Sequence, residues 1–281
     1  MKKLFQSPYT RMAAGIVLIT ALIILVQVAG RSLLPYVQIS EDYKHLIVST
    51  LTAVAALAGY VVLYRYYEKR EITELKFTAF GRNASLGLSI GVLIQLLLIF
   101  VLFLSGGYAI ISVNPVSYVV PGLAIAISSA AFEEVLFRGV IFRLLEEKLG
   151  SMIALLISAA IFGGLHLLNE NSTILSGVSV AVEAGILLAA LYIYSRNLWL
   201  PIFMHFGWNF VESGIFGVAN SGNVVTKSLF TSKLSGPEIL TGGGFGPENS
   251  VQAVVFGLIA ALIFLWAAKR QNKFIKRPRT G

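Results

Sequence analysis

Two adjacent glutamates, followed by an arginine one helical turn later, interrupt an otherwise apolar stretch of the sequence. These residues are Glu133, Glu134 and Arg138. In an α-helix, Arg138 lies one turn beyond Glu134, so these two side chains can form an ion pair. Adjacent helical residues project about 100° apart, which leaves Glu133 without a local counter-charge. Burial increases the affinity of such a carboxylate for a proton, which makes it a stronger base. Glu133 is therefore a candidate general base.

Two of the three histidines also lie in apolar segments, each with a partner at helical spacing. His166 follows Phe162 by four residues, and His205 precedes Asn209 by four residues. Each pair therefore shares one face of a helix. An imidazole and an amide directed at the same point could stabilise an oxyanion. They could equally pack against a neighbouring helix, although so many polar groups in apolar segments are hard to explain by packing alone.

Glu183 interrupts a further apolar segment. A charged side chain in a membrane span costs at least about 2.5–3.5 kcal/mol on insertion scales, so its presence requires a reason. We expect Glu183 to help order the site as a partner of a histidine or of Arg138.

Several other catalytic chemistries are excluded. There is no cysteine, so thiol catalysis and disulfides are ruled out. Asp42 is the only aspartate and lies in a loop, which excludes an aspartyl dyad. Gly87-Leu88-Ser89-Ile90-Gly91 has the spacing of a hydrolase nucleophile elbow, but that motif requires a turn between a strand and a helix. Within an apolar helix, these glycines indicate close helix packing.

The segments that must position these residues are membrane helices. The chain has 281 residues, of which 56% are hydrophobic and 13% are charged, and a soluble domain would need more charge to cover its surface. Because the apolar runs are continuous and about as long as a bilayer requires, we predict an all-α polytopic membrane protein with about eight transmembrane helices. The predicted spans are 12–30, 46–64, 85–105, 118–137, 151–168, 173–194, 199–217 and 250–268.

The distribution of Lys and Arg predicts how the chain is oriented. The net charge is +8, but the basic residues cluster in short loops and at both termini, which indicates membrane orientation rather than a nucleic-acid partner. If both termini are in the cytoplasm, only four of the 22 Lys and Arg residues lie on the outer side: Arg31, Lys44, Lys227 and Lys233. The glycine-rich outer loop 218–249 is predicted to be a flexible connector.

The depth of Glu133 poses a geometric condition for catalysis. Hydropathy places Glu133 near the cytoplasmic end of the fourth span and His166 near the outer end of the fifth. The two can meet only if the fourth helix continues through 139–149, which is apolar enough on one face to allow this.

The three motifs, in this order on successive helices, resemble the CAAX protease and bacteriocin-processing (CPBP) family of intramembrane endopeptidases. The resemblance covers about residues 118–217, which would form a catalytic core of four helices between an N-terminal three-helix region, 1–117, and a C-terminal region, 218–281. It implies hydrolysis of membrane-associated peptides or proteins. The short basic termini and compact loops favour a bacterial cytoplasmic membrane. In the roles implied by the family, Glu133 and His166 activate water, and His205 and Asn209 stabilise the oxyanion. Glu134 and Arg138 order the site.

Cofactor and alternative functions stay open at the level of the sequence. Two histidines and one or two glutamates could bind a catalytic zinc ion, but this would leave fewer groups for the oxyanion, so metal-free activation of water is preferred. The His-Glu-x-x-His pattern of another class of membrane metalloprotease is absent. The alternatives are a non-catalytic membrane immunity or regulatory protein of the same fold, and a proton-coupled transporter. The sequence contains no internal duplication of the kind found in many transporters, which argues against the transporter.

Overall fold

The computed structural model describes residues 7–278, and its main elements are eight helices and a small two-stranded sheet. The helices are α1 (Pro8–Leu33), α2 (Glu41–Tyr67), α3 (Phe80–Leu104), α4 (Val116–Leu149), α5 (Ser151–His166), α6 (Ile174–Ser195), α7 (199–215) and α8 (Val251–Arg270). Strands β1 (Tyr108–Val113) and β2 (Phe230–Leu234) pair antiparallel. The predicted all-α membrane protein fold is confirmed, with the sheet as a small addition.

Six of the eight helices are long and apolar enough to cross a membrane: α1, α2, α3, α4, α6 and α8. The positions of all eight predicted spans coincide with helices in the described part of the chain. The estimate of about eight full spans is nevertheless too high by this criterion. Helix α5 has only 16 residues, and α7 combines 11 α-helical with 6 π-helical residues, whereas a full span needs about 20.

Helix α4 is longer than the predicted span and carries Glu133 to its middle. It continues without a break through a π-helical segment, Val135–Phe142, and a final α-helical segment, Arg143–Leu149. It ends at Gly150, whose φ of 77° is a conformation that favours glycine. The continuation of the fourth helix through 139–149, on which the catalytic hypothesis depended, is therefore confirmed.

The glycines of the apparent nucleophile elbow bring α3 against α7. A Cβ atom added at Gly87 would lie 2.3 Å from the carbonyl oxygen of Leu200, and one at Gly91 would lie 2.2 Å from that of Met204. Only glycine permits this approach of the two backbones. The packing interpretation of the motif is confirmed. The contact holds α3 against α7 at Met204, the residue that precedes His205.

Helix α6 occupies the centre of the molecule between two apolar clusters. One cluster joins residues of α6, such as Tyr192, to α1, α2, α4 and α5. The other joins Leu187 and Leu191 to α3, α7 and α8. Glu183 lies in this central helix and is 1% exposed.

The outer loop 218–249 is more ordered than a flexible connector, and that prediction was wrong. It contains β2, whose pairing with β1 ties the loop to the segment before α4. Its residues Asn220 and Glu248 are 6% and 4% exposed and belong to the polar network described below. The loop therefore forms one wall of the site.

Candidate active site

Glu134 is the point at which α4 and α7 are joined. Its Oε1 accepts a hydrogen bond from Arg138 Nη1 at 2.6 Å, as the helical spacing predicted, and a second from His205 Nδ1 at 3.0 Å. Glu134 and Arg138 are 0% and 1% exposed. The guanidinium also donates to the carbonyl oxygen of Gly185 in α6 at 3.2 Å. One carboxylate and one guanidinium thus tie three helices together.

The two membrane histidines use the same ring nitrogen for structure. His205 Nδ1 donates to Glu134, and His166 Nδ1 lies 2.8 Å from the carbonyl oxygen of Phe162, which can only accept. In both rings this leaves Nε2 as the nitrogen that can act on a substrate. The Phe162 ring lies between them, with centroid distances of 4.6 Å to His166 and 6.4 Å to His205.

The side chain of Asn209 is held in a fixed orientation by two further residues. Its Nδ2 donates to Ser129 Oγ of α4 at 2.9 Å, and its Oδ1 accepts from Asn220 Nδ2 at 3.3 Å. An amide held at both ends keeps its second N–H in a defined direction. Asn209 is therefore pre-oriented, as an oxyanion donor must be.

His166, His205 and Asn209 meet at a small cavity. It has a volume of about 20 Å³, close to the minimum needed for one water molecule. Its wall also includes Glu183 and Glu248. Three of the four predicted catalytic residues, from the two helices α5 and α7, are thus brought together around a space of the size of one water molecule.

Glu133 lies on α4, next to Glu134, and is not among the residues that line this cavity. Its Oε2 is buried and has no hydrogen-bond partner among residues 7–278. The carboxylate is close enough to interact electrostatically with both Arg138 and His205. The expected contrast between a paired Glu134 and an unpaired Glu133 is therefore present in the structure.

Three further carboxylates are buried next to the cavity: Glu183, Glu212 and Glu248, with exposures of 1%, 0% and 4%. Asn220 Nδ2 bridges two of them, at 2.8 Å from Glu212 Oε2 and 3.2 Å from Glu248 Oε1. Glu183 forms neither the histidine contact nor the Arg138 contact expected for it, since Arg138 instead donates to the backbone of its neighbours Ala184 and Gly185.

Three of the four helices that contribute to the site, α4, α6 and α7, change to π-helical geometry there. The π segments are Val135–Phe142 in α4, Ala181–Ile186 in α6 and Phe210–Ile215 in α7. Arg138, Glu183 and Glu212 lie within them. A π turn is uncommon and is often found at functional sites, because it shifts the direction of side chains relative to a regular helix.

The zinc alternative was tested against the positions of the side chains. Among the residues that the structure describes, no group of three or more His, Cys, Asp or Glu side chains is arranged to hold a metal ion. Of the two adjacent glutamates, Glu134 is already engaged by Arg138 and His205. The residues present therefore do not fit a zinc site.

The fold and the site together define a polytopic integral membrane protein with a buried polar centre between helices α4, α5, α6 and α7. Comparison with known families makes this more specific. Residues 115–211 match the family described as type II CAAX prenyl endopeptidase Rce1-like. The matched segment contains all of the Glu133, Glu134, Arg138, His166, His205 and Asn209 motifs. The resemblance to the CAAX protease-like family is thereby confirmed over residues 115–211.

The chain is also similar to part of one curated protein. The chain is 36% identical over 77 residues to a protein of Bacillus subtilis (strain 168) named "Putative membrane peptidase YdiL". The match covers 27% of this chain and 29% of the relative. No solved structure matches the chain.

Sequence reasoning missed four residues that complete the site. Ser129 precedes Glu133 by one helical turn, and this spacing was a signal that could have been used. Asn220 and Glu248 lie in the outer loop, where the sequence has no periodicity that indicates burial. Trp208, whose Nε1 donates to Glu248 at 3.0 Å, connects the loop to α7.

Proposed function

We propose that the protein is an intramembrane endopeptidase that hydrolyses membrane-associated peptides or proteins with water activated by Glu133 and His166. The observation that carries this proposal is the cavity for one water molecule, lined by His166, His205 and Asn209. Groups suited to proton transfer and to oxyanion binding face one enclosed space, and the chain shares the CAAX protease-like motifs at these positions.

Water attack requires a base that is not already neutralised. Glu133 is available for this role because no hydrogen bond engages its Oε2 in the described structure, and because Arg138 and His205 are close enough to interact with it electrostatically. Glu134, in contrast, is held by hydrogen bonds from the same two residues. His166 keeps Nε2 free and can hold the attacking water beside the carbonyl carbon. General base catalysis of this type contributes about 10²–10⁴-fold.

The negative charge that develops on the carbonyl oxygen needs donors that are already in position. His205 can supply Nε2–H when its ring holds both protons, and Glu134 supports that form through Nδ1. Asn209 supplies the N–H of Nδ2 that is not bonded to Ser129. Such donors cost no reorganisation during the reaction, and the loss of one costs about 10²–10³-fold.

The proposal is tested with purified protein in detergent and a library of amphipathic peptides, with cleavage scored by mass spectrometry. Wild type is compared with Glu133→Gln and His166→Ala, each with and without a strong chelator. We expect cleavage by wild type, unaffected by the chelator, and loss in both variants. Cleavage that persists in both variants would show a contaminating peptidase and refute the site.

We further propose a bacterial cytoplasmic membrane as the location, with both termini in the cytoplasm. The support is the concentration of Lys and Arg at the ends of the chain and in the loops on one side.

A further inference from the structure

The carboxylates behind the cavity are not used by the activation of water. Glu183 and Glu248 nevertheless line the same cavity as the two histidines. Two carboxylates at one enclosed space in a membrane protein cannot both carry a charge at low cost. Their hydrogen bonds show which of them holds the charge.

Glu248 is surrounded by donors. Its Oε1 accepts from Trp208 Nε1 at 3.0 Å and from Asn220 Nδ2 at 3.2 Å. Its Oε2 accepts from the backbone N–H and the hydroxyl of Ser221 at 2.9 and 2.7 Å. A carboxylate that accepts four hydrogen bonds is stabilised as an anion.

Glu183 has the opposite environment. It is 1% exposed, and its Oε2 has no hydrogen-bond partner within the described residues. A carboxylate anion buried without a donor or a cation is so unfavourable that the group takes up a proton instead. The anionic Glu248 nearby adds to this preference. Glu183 therefore keeps a proton at the cavity wall.

We propose that Glu183 is the general acid that protonates the leaving amine during peptide hydrolysis. This inference rests on the proposed function. An amine anion is a very poor leaving group, so the nitrogen must gain a proton as the carbon–nitrogen bond breaks. In this step the O–H bond of Glu183 breaks and a new N–H bond forms, which leaves Glu183 as a carboxylate. The proton that Glu133 removes from water restores Glu183 after the products leave.

The proposal divides the work between two carboxylates on different helices, Glu133 of α4 and Glu183 of α6. Glu133 then acts as the base and Glu183 as the acid, which are the two roles that one hydrolytic site requires. The proton count closes over one turnover, because water supplies one proton to the amine and a hydroxyl group to the acid product.

The decisive experiment compares two substrates that differ in their need for a proton. The best-cleaved peptide of the library is prepared with its normal scissile amide and with a thioester at the same bond. A thiol has a pKa of about 8.5, so a thiolate leaves without a proton donor. We expect Glu183→Gln to lower amide cleavage by about 100-fold or more and thioester cleavage by less than about threefold.

The thioester reaction also reports whether the variant is folded. Equal losses on both substrates, or no loss on either, would overturn the proposal. Glu238→Gln is the matched control, because Glu238 is exposed in the same outer loop and should leave both rates unchanged. A wild type that cleaves neither substrate faster than Glu133→Gln would refute the proposed function itself, which is a separate outcome.

A second measurement uses the wild type alone and does not depend on the folding of a variant. The ratio of amide to thioester cleavage should fall as the pH rises, because only the amide needs the protonated acid. The ionisable groups around Glu183 are His166 of α5, His205 of α7 and Glu248 of the loop, which line the same cavity. Glu212 of α7 also interacts with it electrostatically. Helix α8 packs on Glu183 through Gly257. Titrations that affect water attack act on both substrates and cancel in the ratio. A ratio that is independent of pH would overturn the proposal.

Discussion

Glu134 in α4 and His205 in α7 are 71 residues apart in the sequence, and their side chains are joined by a hydrogen bond of 3.0 Å. The same carboxylate oxygen accepts from Arg138, so one buried anion orients an imidazole and neutralises a guanidinium. The adjacent Glu133 takes part in neither contact. Two neighbouring residues of identical type therefore have different physical tasks, and substitutions should separate them.

Replacement of Glu134 should act first on stability. Glu134→Gln removes the carboxylate that Arg138 contacts, and the loss of one partner from a buried ion pair costs about 3–5 kcal/mol. Thermal unfolding in detergent should show a clear fall in Tm. Activity should fall too, because His205 loses its charged acceptor and a neutral amide oxygen orients the ring less strongly. A variant with the Tm of wild type would show that the pair does not stabilise the fold.

Replacement of Glu133 should act on activity alone. Glu133→Gln removes a charge whose Oε2 has no hydrogen-bond partner in the described structure, so no ion pair is broken and Tm should stay the same or rise. Peptide cleavage should fall by about 10²–10⁴-fold. Both variants should lose activity, but only Glu134→Gln should lower Tm. A loss of Tm in Glu133→Gln as large as that in Glu134→Gln would contradict the division of tasks.

Helix α5 offers two adjacent glycines with opposite surroundings, three and two residues before His166. A Cβ atom at Gly163 would lie 2.2 Å from the carbonyl oxygen of Gly177, whereas one at Gly164 would meet no atom within 4 Å. Gly163→Ala should therefore separate α5 from α6, cost about 1–3 kcal/mol and lower activity by displacing His166.

Gly164→Ala is the matched control for this change. It should be neutral or stabilising by up to about 1 kcal/mol, because alanine favours the helix. Tm and peptide cleavage of both variants test the prediction. Similar losses in the two would show that helix packing at Gly163 does not position His166.

The ion pair within α4 was predictable because the geometry of one helix fixes it. Glu134 and Arg138 are one turn apart whatever the rest of the chain does. The bond from Glu134 to His205 was not predictable, since the distance between two helices depends on packing that no local pattern encodes. Close packing at Gly87 and Gly91 could be inferred, but the partner helix could not.

The contribution of the outer loop was missed for a different reason. Burial of Asn220 and Glu248 follows from the way the loop folds back over α6 and α7, and polar residues in a glycine-rich loop look the same whether exposed or buried. The π turns add a further difficulty, because they rotate Glu183 and Glu212 away from the face that regular helix spacing assigns to them.

Glu74 connects the α2–α3 loop to the start of α7 and predicts a dependence of stability on pH. Its carboxylate accepts from Arg70 Nη2 at 2.6 Å and Nη1 at 3.0 Å and from the Tyr60 hydroxyl, and its carbonyl oxygen accepts from the backbone N–H of Leu198 at 2.7 Å. Burial raises the pKa of Glu74, but the bonds from Arg70 and Tyr60 outweigh it, so the pKa lies below its ordinary value of 4.5.

A folded-state pKa below the unfolded one contributes stability above pH 4.5, and that stability is lost as the pH falls through the folded value. Glu74→Gln should therefore lower stability by about 1–3 kcal/mol at pH 7. The difference in Tm from wild type should shrink below pH 4.5. Glu71→Gln is the control, because this carboxylate is 74% exposed in its pair with Lys76 and a surface pair contributes only about 0–1 kcal/mol. A Tm difference for Glu74→Gln that is the same at all pH values would contradict the assignment.

The orientation of the chain can be tested cleanly because it contains no cysteine. Single cysteines are introduced at two exposed positions, Ser235→Cys in the outer loop and Gln271→Cys after α8. Since basic residues are retained on the cytoplasmic side, a membrane-impermeant maleimide should label position 235 but not 271 in intact bacterial cells, and 271 but not 235 in inverted vesicles. Labelling in detergent shows that both thiols are reactive. The reverse pattern would place the cavity wall formed by the outer loop on the cytoplasmic side, and substrates would then have to be sought among proteins presented from the cytoplasm.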